Sequence, residues 1–363
     1  MDTFAFIIHP IDPKRDIGRK YPFLARVVND WIIYHVAPLF PPVYLSEIEG
    51  VISASNGKQI KGWLIACPLI PEHFFQLPEK QVYTKIIETG KLAEKLGAKI
   101  LGLGAFTSVV GDAGQTIARA LDIPVTTGDA YTVVIAVQTI KQAAQVMEIP
   151  INSAVVAIVG ATGAIGRACA SLLSRDVAKL YLVSRRENDL SRLKNELILV
   201  GSKAQVFIST DISVLSHADI ILTVTNALHA IIEPQHLQSG SVICDIAQPR
   251  NVSVEVATAR EDVLIIDGGA VKVPGQVNFH FDFGIPPGEA YACMAETMAL
   301  TLEGRFEDYT IGKNIALEKV DEIAIIAKRH GFQSSGLRSF GRPVTEEQIE
   351  HIKTNAKERR GRS

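Results

Sequence analysis

The apolar positions of this chain follow two different rhythms. Over residues 1–125, short β-rich runs alternate with Pro- and Gly-rich connections. Val51-Ile52-Ser53-Ala54 and Ile60-Lys61-Gly62-Trp63-Leu64-Ile65 flank Asn56-Gly57, a dipeptide that folds two strands into a hairpin. Between 80 and 97, Val82, Ile86, Ile87, Leu92, Ala93 and Leu96 recur about every 3.6 residues, which predicts a helix stopped by Gly97. The strand-like Lys99–Leu103 follows, and Thr132 to Met147 reads as a further helix ending before Ile149-Pro150.

From residue 154 the pattern becomes regular β–α alternation. Val155–Val159, Lys179–Ser184, Ala204–Ile208, Ile220–Thr225, Val242–Asp245 and Leu264–Asp267 are short apolar runs separated by helical or turn segments. They predict an α/β fold with a central Rossmann-like, doubly wound parallel sheet. Beyond Gly269, the stretch Val273–Gly288 is irregular and rich in proline. Helices are expected at about 289–303 and 314–330, and the tail Thr354–Ser363, with Lys357, Arg359, Arg360 and Arg362, reads as frayed.

Composition narrows the class. The chain has 363 residues, 37 Lys+Arg against 39 Asp+Glu, 47% hydrophobic and 21% charged residues. That length suits two or three domains, and the apolar share excludes disorder as the main state. A net charge of −2 lacks the basic footprint of a nucleic-acid binder. The mean hydropathy of +0.18 is high, yet no run of about 18 apolar residues predicts a spanning helix. The start Met1-Asp2-Thr3 lacks a signal-peptide n-region, and Cys67, Cys169, Cys244 and Cys293 are widely separated. Together these favour a cytoplasmic protein without a disulfide framework, with at most peripheral membrane contact. Trp31–Val36 reads as core, or as a segment resting on a membrane or lining an apolar pocket.

The strand Val155–Val159 runs directly into Gly160-Ala161-Thr162-Gly163-Ala164-Ile165-Gly166, and a helix opens after it. Glycines let the backbone approach a pyrophosphate, and a helix N-terminus offers N–H groups and a favourable dipole. We therefore assign cofactor contacts to Gly160, Thr162, Gly163, Ala164, Ile165 and Gly166. At the end of the next strand, Ser184-Arg185-Arg186 stands where a carboxylate would bind the ribose 2′-hydroxyl of NAD. Arginines there accommodate a 2′-phosphate, so NADPH is the expected cofactor. Thr225 and Asn226 end the fourth strand at the edge where ligands bind, beside the expected nicotinamide ribose.

Three cysteines read as buried packing residues. Cys293 follows the loop Ile285–Ala292 into a helix, where the dipole favours a thiolate. It is either a packed helix residue or a nucleophile that holds an acyl group as a thioester for hydride reduction.

The motifs Gly104-Ala105-Phe106-Thr107-Ser108, Thr126-Thr127-Gly128-Asp129, Val159–Gly166, Ala292-Cys293-Met294-Ala295-Glu296 and Arg329-His330-Gly331-Phe332 occur in that order. In them the chain resembles the long-chain acyl-[acyl-carrier-protein] reductases of cyanobacteria, over residues 1 to about 333. The resemblance implies that Cys293 carries the acyl thioester, that NADPH reduces it, and that a fatty aldehyde leaves. It implies a fatty acyl thioester of acyl carrier protein or coenzyme A as substrate, and an aldehyde-consuming enzyme as a candidate partner. On that basis residues 1–130 form an acyl-substrate domain, 131–270 the NADPH-binding domain with a linker helix at 131–147, and 271–363 a helical region with Cys293 and a basic tail. Leu69–Ile70, Phe74–Phe75 and Trp31–Val36 become candidates to line an acyl channel.

Two features depart from that family. Ser334–Ser363 is an extension, and Asp245-Ile246-Ala247-Gln248-Pro249-Arg250 looks like a run in glutamyl-tRNA reductases, which also reduce a cysteine-bound thioester with NADPH. Around the site, Thr107 and Ser108, and the turn Thr127-Gly128-Asp129, are candidates to hold the developing oxyanion, or simply turn residues. His280 and His330 are candidate acid–base partners of Cys293. No metal-binding spacing is present. The alternatives are an NADP-dependent hydroxy- or amino-acid dehydrogenase without a covalent step, and a non-catalytic NADPH-binding regulator.

Overall fold

The computed structural model describes residues 1–27 and 29–362. The chain divides into two compact units, Met1–Thr132 with Val271–Gln333, and Val133–Ala270 with Ser334–Ser363. Residues 271–363 therefore do not form a third region: 271–333 fold with the N-terminal segment and the extension folds with residues 133–270.

The first unit is built on a mixed sheet of β1 (Asp2–Ile8), β2 (Val43–Ile52), β3 (Gln59–Ala66), β4 (Leu101–Leu103) and β5 (Val125–Thr126), joined by a strand from the distant segment. The hairpin read around Asn56-Gly57 is β2–β3, antiparallel, with Gly57 at φ 69°. β1 lies between β3 and β4 and is parallel to both, and β5 continues the sheet beyond β4. The helices of this segment are α1 (Pro13–Lys20), α2 (Pro22–Val27), α3 (Asp30–Val36), α4 (His73–Gln76), α5 (Glu79–Lys95), α6 (Phe106–Val109) and α7 (Gln115–Ala120). α5 matches the helix expected over 80–97.

The next helix, α8 (Asp129–Val146), starts three residues ahead of its expected Thr132, because Glu296 accepts a hydrogen bond from its third N–H. The parallel sheet of the second unit contains β6 (Val155–Val159), β7 (Lys179–Val183), β8 (Gln205–Ser209), β9 (Ile220–Thr223), β10 (Val242–Asp245) and β11 (Leu264–Asp267), in the order β11-β10-β9-β6-β7-β8. Each expected strand is present within one or two residues. α9 (Ala164–Leu173), α10 (Glu187–Leu199) and α11 (Val254–Ala259) are its crossover helices. The strand order reverses between β6 and β9, and a sheet of this order binds dinucleotides at that switch point. β9 and β10 are buried at every position, which is why their sequences are continuous rather than alternating.

Short strands β12 (Ala270–Lys272), β13 (Gly275–Asn278) and β14 (Glu289–Tyr291) come next, then α12 (Ala292–Glu303) and α13 (Leu317–His330). β13 adds antiparallel to β2 and completes the first sheet, so the stretch expected to be irregular contributes an edge strand. α12 is buried at every position from Ala292 to Leu302 except Cys293, and it packs on β1, β3 and β4. Burial of Met294, Met298, Leu300 and Leu302 stabilises by about 1.5–3 kcal/mol each, which fixes this helix in the core.

The extension is ordered. After β15 (Gln333–Ser334), β16 (Arg338–Ser339) and β17 (Arg342–Pro343) form a hairpin, and α14 (Glu346–Arg362) spans most of the tail expected to be frayed. Ser363 lies outside the described residues. Arg359 reaches Asp262 at 3.4 Å and Arg360 donates to Ser239 O at 3.0 Å, while Ile349 and Ala356 are buried. The basic residues thus serve docking onto the second unit.

Trp31 is 67% exposed, contrary to the core reading, and Phe75 is 54% exposed. Ile33, Leu69, Ile70 and Phe74 are buried. Among the described residues no helix is long and apolar enough to cross a membrane.

His9 closes the end of β1 inside the first unit. Its Nε2 accepts from Phe106 N at 3.2 Å, so Nδ1 carries the proton toward Pro10 O at 3.1 Å. Burial lowers the ring from 6.5 to about 4. The unfolded chain then binds a proton that the folded chain refuses, so stability contributed by neutral His9 is intact above pH 6.5 and lost as pH falls toward 4. Urea unfolding across that window should show a steeper acid loss for the wild type than for His9→Gln, with a difference of at most about 3 kcal/mol. Parallel pH profiles would contradict the assignment.

Candidate active site

In the second unit, β6 ends at the glycine turn and α9 opens at Ala164. Gly160 has φ +87°, and a Cβ there would lie 2.5 Å from Val224 O. A Cβ on Gly166 would lie 2.3 Å from Gly160 O. The ends of β6 and β9 and the first turn of α9 approach one another only because these positions lack side chains. Gly163 faces open space apart from Gly160 O at 3.3 Å, leaving a shallow cradle below the unpaired N–H groups of Ala164, Ile165 and Gly166. That cradle fits a pyrophosphate.

Thr162 Oγ1 and Ser184 Oγ share a hydrogen bond of 2.8 Å that ties the turn to the end of β7. Arg185 and Arg186 are exposed beyond it, with Arg186 Nε 2.9 Å from Asp189. Thr225 donates to Asn251 Oδ1 from both N (3.2 Å) and Oγ1 (2.8 Å), and Thr223 Oγ1 donates to the same oxygen at 2.5 Å. The fully buried Asn251 therefore sets the loop that flanks Gly160, and Asn226 is exposed beside it. Asp245, buried and pushed up to about 6 by desolvation, accepts from the N–H groups of Ala247, Asn251 and Val252. The Asp-x-Ala-x-Pro-Arg run is thus a loop clamp.

In the first unit, Cys293 is the second residue of α12 and is half-buried, whereas Cys67, Cys169 and Cys244 are buried with burial raising each thiol. Gly128, at φ +75°, lies directly against it: a Cβ on Gly128 would sit 2.2 Å from Cys293 Cα and 2.3 Å from its Cβ. Since Gly128 precedes α8, the N-termini of α8 and α12 meet at the thiol. Two partial positive ends in one place call for negative charge, and two carboxyls supply it. Glu296, one turn along α12, accepts from Thr126 Oγ1 at 2.5 Å, Thr310 Oγ1 at 2.8 Å and Tyr131 N at 2.8 Å. Asp129 opens α8 and is buried.

These carboxyls reverse one expectation. The helix end alone would favour a thiolate, but burial, then Asp129 and Glu296, push the Cys293 thiol up to about 12. Desolvation and the Glu296 charge raise Asp129 to about 7, and desolvation raises Glu296. Burial and the two carboxyls thus favour the protonated thiol at Cys293.

The other expected site residues do not gather at Cys293. Thr107 Oγ1 donates to Gly104 O at 2.7 Å and Ser108 Oγ to Ala105 O at 2.7 Å. Both hydroxyls close the turn around Ala105 (φ 48°), which is turn chemistry rather than oxyanion binding. His280 is exposed beside the edge strand β13, with Asn278 and Glu49 as its partners. His330 spends one ring nitrogen on Ser53 Oγ and the other on Glu303, both at 2.8 Å. Glu303 ends α12, about 15 Å along the helix from Cys293, so His330 is a structural tie and not its base. The charged groups that act on Cys293 are Asp129 and Glu296. Glu296, a carboxylate within the buried run of α12 three residues after the cysteine, is the available sequence signal.

A family model for shikimate/quinate 5-dehydrogenase matches residues 141–267. The long-chain acyl-[acyl-carrier-protein] reductase of Synechococcus elongatus is 30% identical over 351 residues, covering 92% of this chain and 99% of that protein. The chain belongs to the long-chain acyl-[acyl-carrier-protein] reductase family. Its kind is that of an NAD(P)-linked oxidoreductase. The aminotransferase PigE of Serratia sp. is 29% identical over 310 residues, 83% of this chain. The chain spans 36% of that relative's length. Among solved structures, L-tryptophan dehydrogenase of Nostoc punctiforme covers 100% of this chain and 89% of its own at 13% identity and a TM-score of 0.40.

The contact between Gly128 and Cys293 leaves no room for a methyl group. Gly128→Ala should cost about 2–3 kcal/mol by urea unfolding. Gly163→Ala, at φ −72° with an open face, should cost less than about 1 kcal/mol. Equal costs would refute the packing argument.

Proposed function

We propose that the chain reduces a long-chain fatty acyl thioester to the corresponding aldehyde, with Cys293 carrying the acyl group and NADPH as reductant. The observation that supports this most is the half-buried thiol held where the N-termini of α8 and α12 meet. An anion at that point, whether thiolate or the oxyanion of a tetrahedral intermediate, is stabilised by the N–H groups of two helices.

In the first step Cys293 Sγ attacks the acyl carbonyl carbon. A new C–S bond forms, the donor's C–S bond breaks, and the donor leaves as a thiol with the proton that Cys293 gives up. A nicotinamide cofactor bound at the β6–α9 turn supplies the hydride equivalent that takes the acyl group to the aldehyde level. Cys293 then releases the aldehyde and regains a proton. The donor's thiol belongs to acyl carrier protein or coenzyme A, and Arg185 and Arg186 support a cofactor 2′-phosphate.

Cys293→Ala should abolish aldehyde formation from palmitoyl thioester while NADPH still quenches or shifts fluorescence with unchanged Kd. Full aldehyde production by the variant would exclude the covalent route and favour direct reduction.

A further inference from the structure

Burial and the neighbouring carboxyls oppose ionisation of Cys293, and the rings of His280 and His330 are bonded elsewhere. The two buried carboxyls beside it differ in their bonding. Glu296 accepts three hydrogen bonds, which hold its carboxyl in one place. The donors that hold Glu296 do not serve Asp129, whose neighbour is the Thr127 hydroxyl, a buried group with no hydrogen-bond partner of its own among the described residues. When two buried carboxyls have such unequal partners, the one with fewer donors is the one that exchanges a proton most readily.

Resting on the reading above, we propose that Asp129 is the acid–base residue of Cys293, taking the Sγ proton as the thiol attacks and passing it to the departing donor thiolate, with Glu296 as the immobile carboxyl behind it. The step balances: one proton moves from Sγ to the Asp129 carboxylate and then to the leaving sulfur, and the active site ends with an acylated Cys293 and an ionised Asp129. Position supports this. Asp129 follows Gly128, whose backbone touches Cys293, and the Asp129 charge acts on the thiol. The other titratable groups in this setting are Glu296 on α12, which faces both, and Lys319 on α13, which acts on Glu296. Burial raises Asp129 to about 7, close to the value that serves proton transfer near neutrality.

The test compares wild type with Asp129→Asn in two assays: iodoacetamide alkylation of Cys293 against pH, and single-turnover acylation by palmitoyl-coenzyme A followed by intact mass. Asparagine removes the negative charge, so the thiol pKa should fall and alkylation at pH 8 should rise roughly tenfold. It also removes the proton acceptor, so acylation should fall about 100-fold. A purely structural role would lower both rates together, and that result overturns the proposal, as does unchanged acylation. Should Asp129→Asn unfold, Asp129→Ala with added formate replaces it: restored acylation supports the role and no restoration refutes it. Absence of any acyl adduct in the wild type defeats the reading of function itself, and the catalytic role with it. An alkylation profile that does not move in the variant separately refutes the coupling between Asp129 and Cys293.

Discussion

The structure of the first unit depends on two helix N-termini being brought together at Gly128 and Cys293. Like ends repel, and each leaves N–H groups that the interior cannot hydrate. Glu296 resolves both problems, because its carboxylate takes one orphan N–H of α8 at Tyr131 while being itself part of α12. Thr126 and Thr310 both donate to its other oxygen. Removing that carboxylate would leave donors unpaired in a place without water, which is the costly case for buried polar groups.

Protection and reactivity follow from one balance of charges. The helix ends favour a thiolate, and the carboxyls oppose it, so the resting thiol is kept protonated. A thiol in that state is slow to oxidise or alkylate. Its reactivity then depends on moving one proton, not on a permanently low pKa.

Much of the fold was legible because its strands are short, apolar and separated by turn residues. The second unit announced itself through Val155–Val159 and the glycines behind it, where local pattern and global topology agree. The β2–β3 hairpin and α5 were readable for the same reason. What the pattern did not carry was anything decided by distant partners. Gly275–Asn278 becomes a strand only through pairing with β2. The tail is helical because Arg359 and Arg360 dock on residues far back in the chain. The thiol at the head of α12 was located correctly, yet its charge state was misjudged, because Asp129 lies well over a hundred residues away in sequence. His330 stood in a motif with the right chemistry, and only the helix geometry placed it at the wrong end of α12.

We propose that Cys293, and none of the other three cysteines, carries the acyl group. The most direct measurement mixes the protein with palmitoyl-coenzyme A without reductant, quenches it, digests it and maps the added mass by peptide sequencing. The account predicts one palmitoyl group on the peptide containing Cys293, none on those with Cys67, Cys169 or Cys244, and loss of that mass on adding NADPH with an equal yield of aldehyde. Label on another residue, or aldehyde formed while Cys293 never acquires an acyl group, would contradict it.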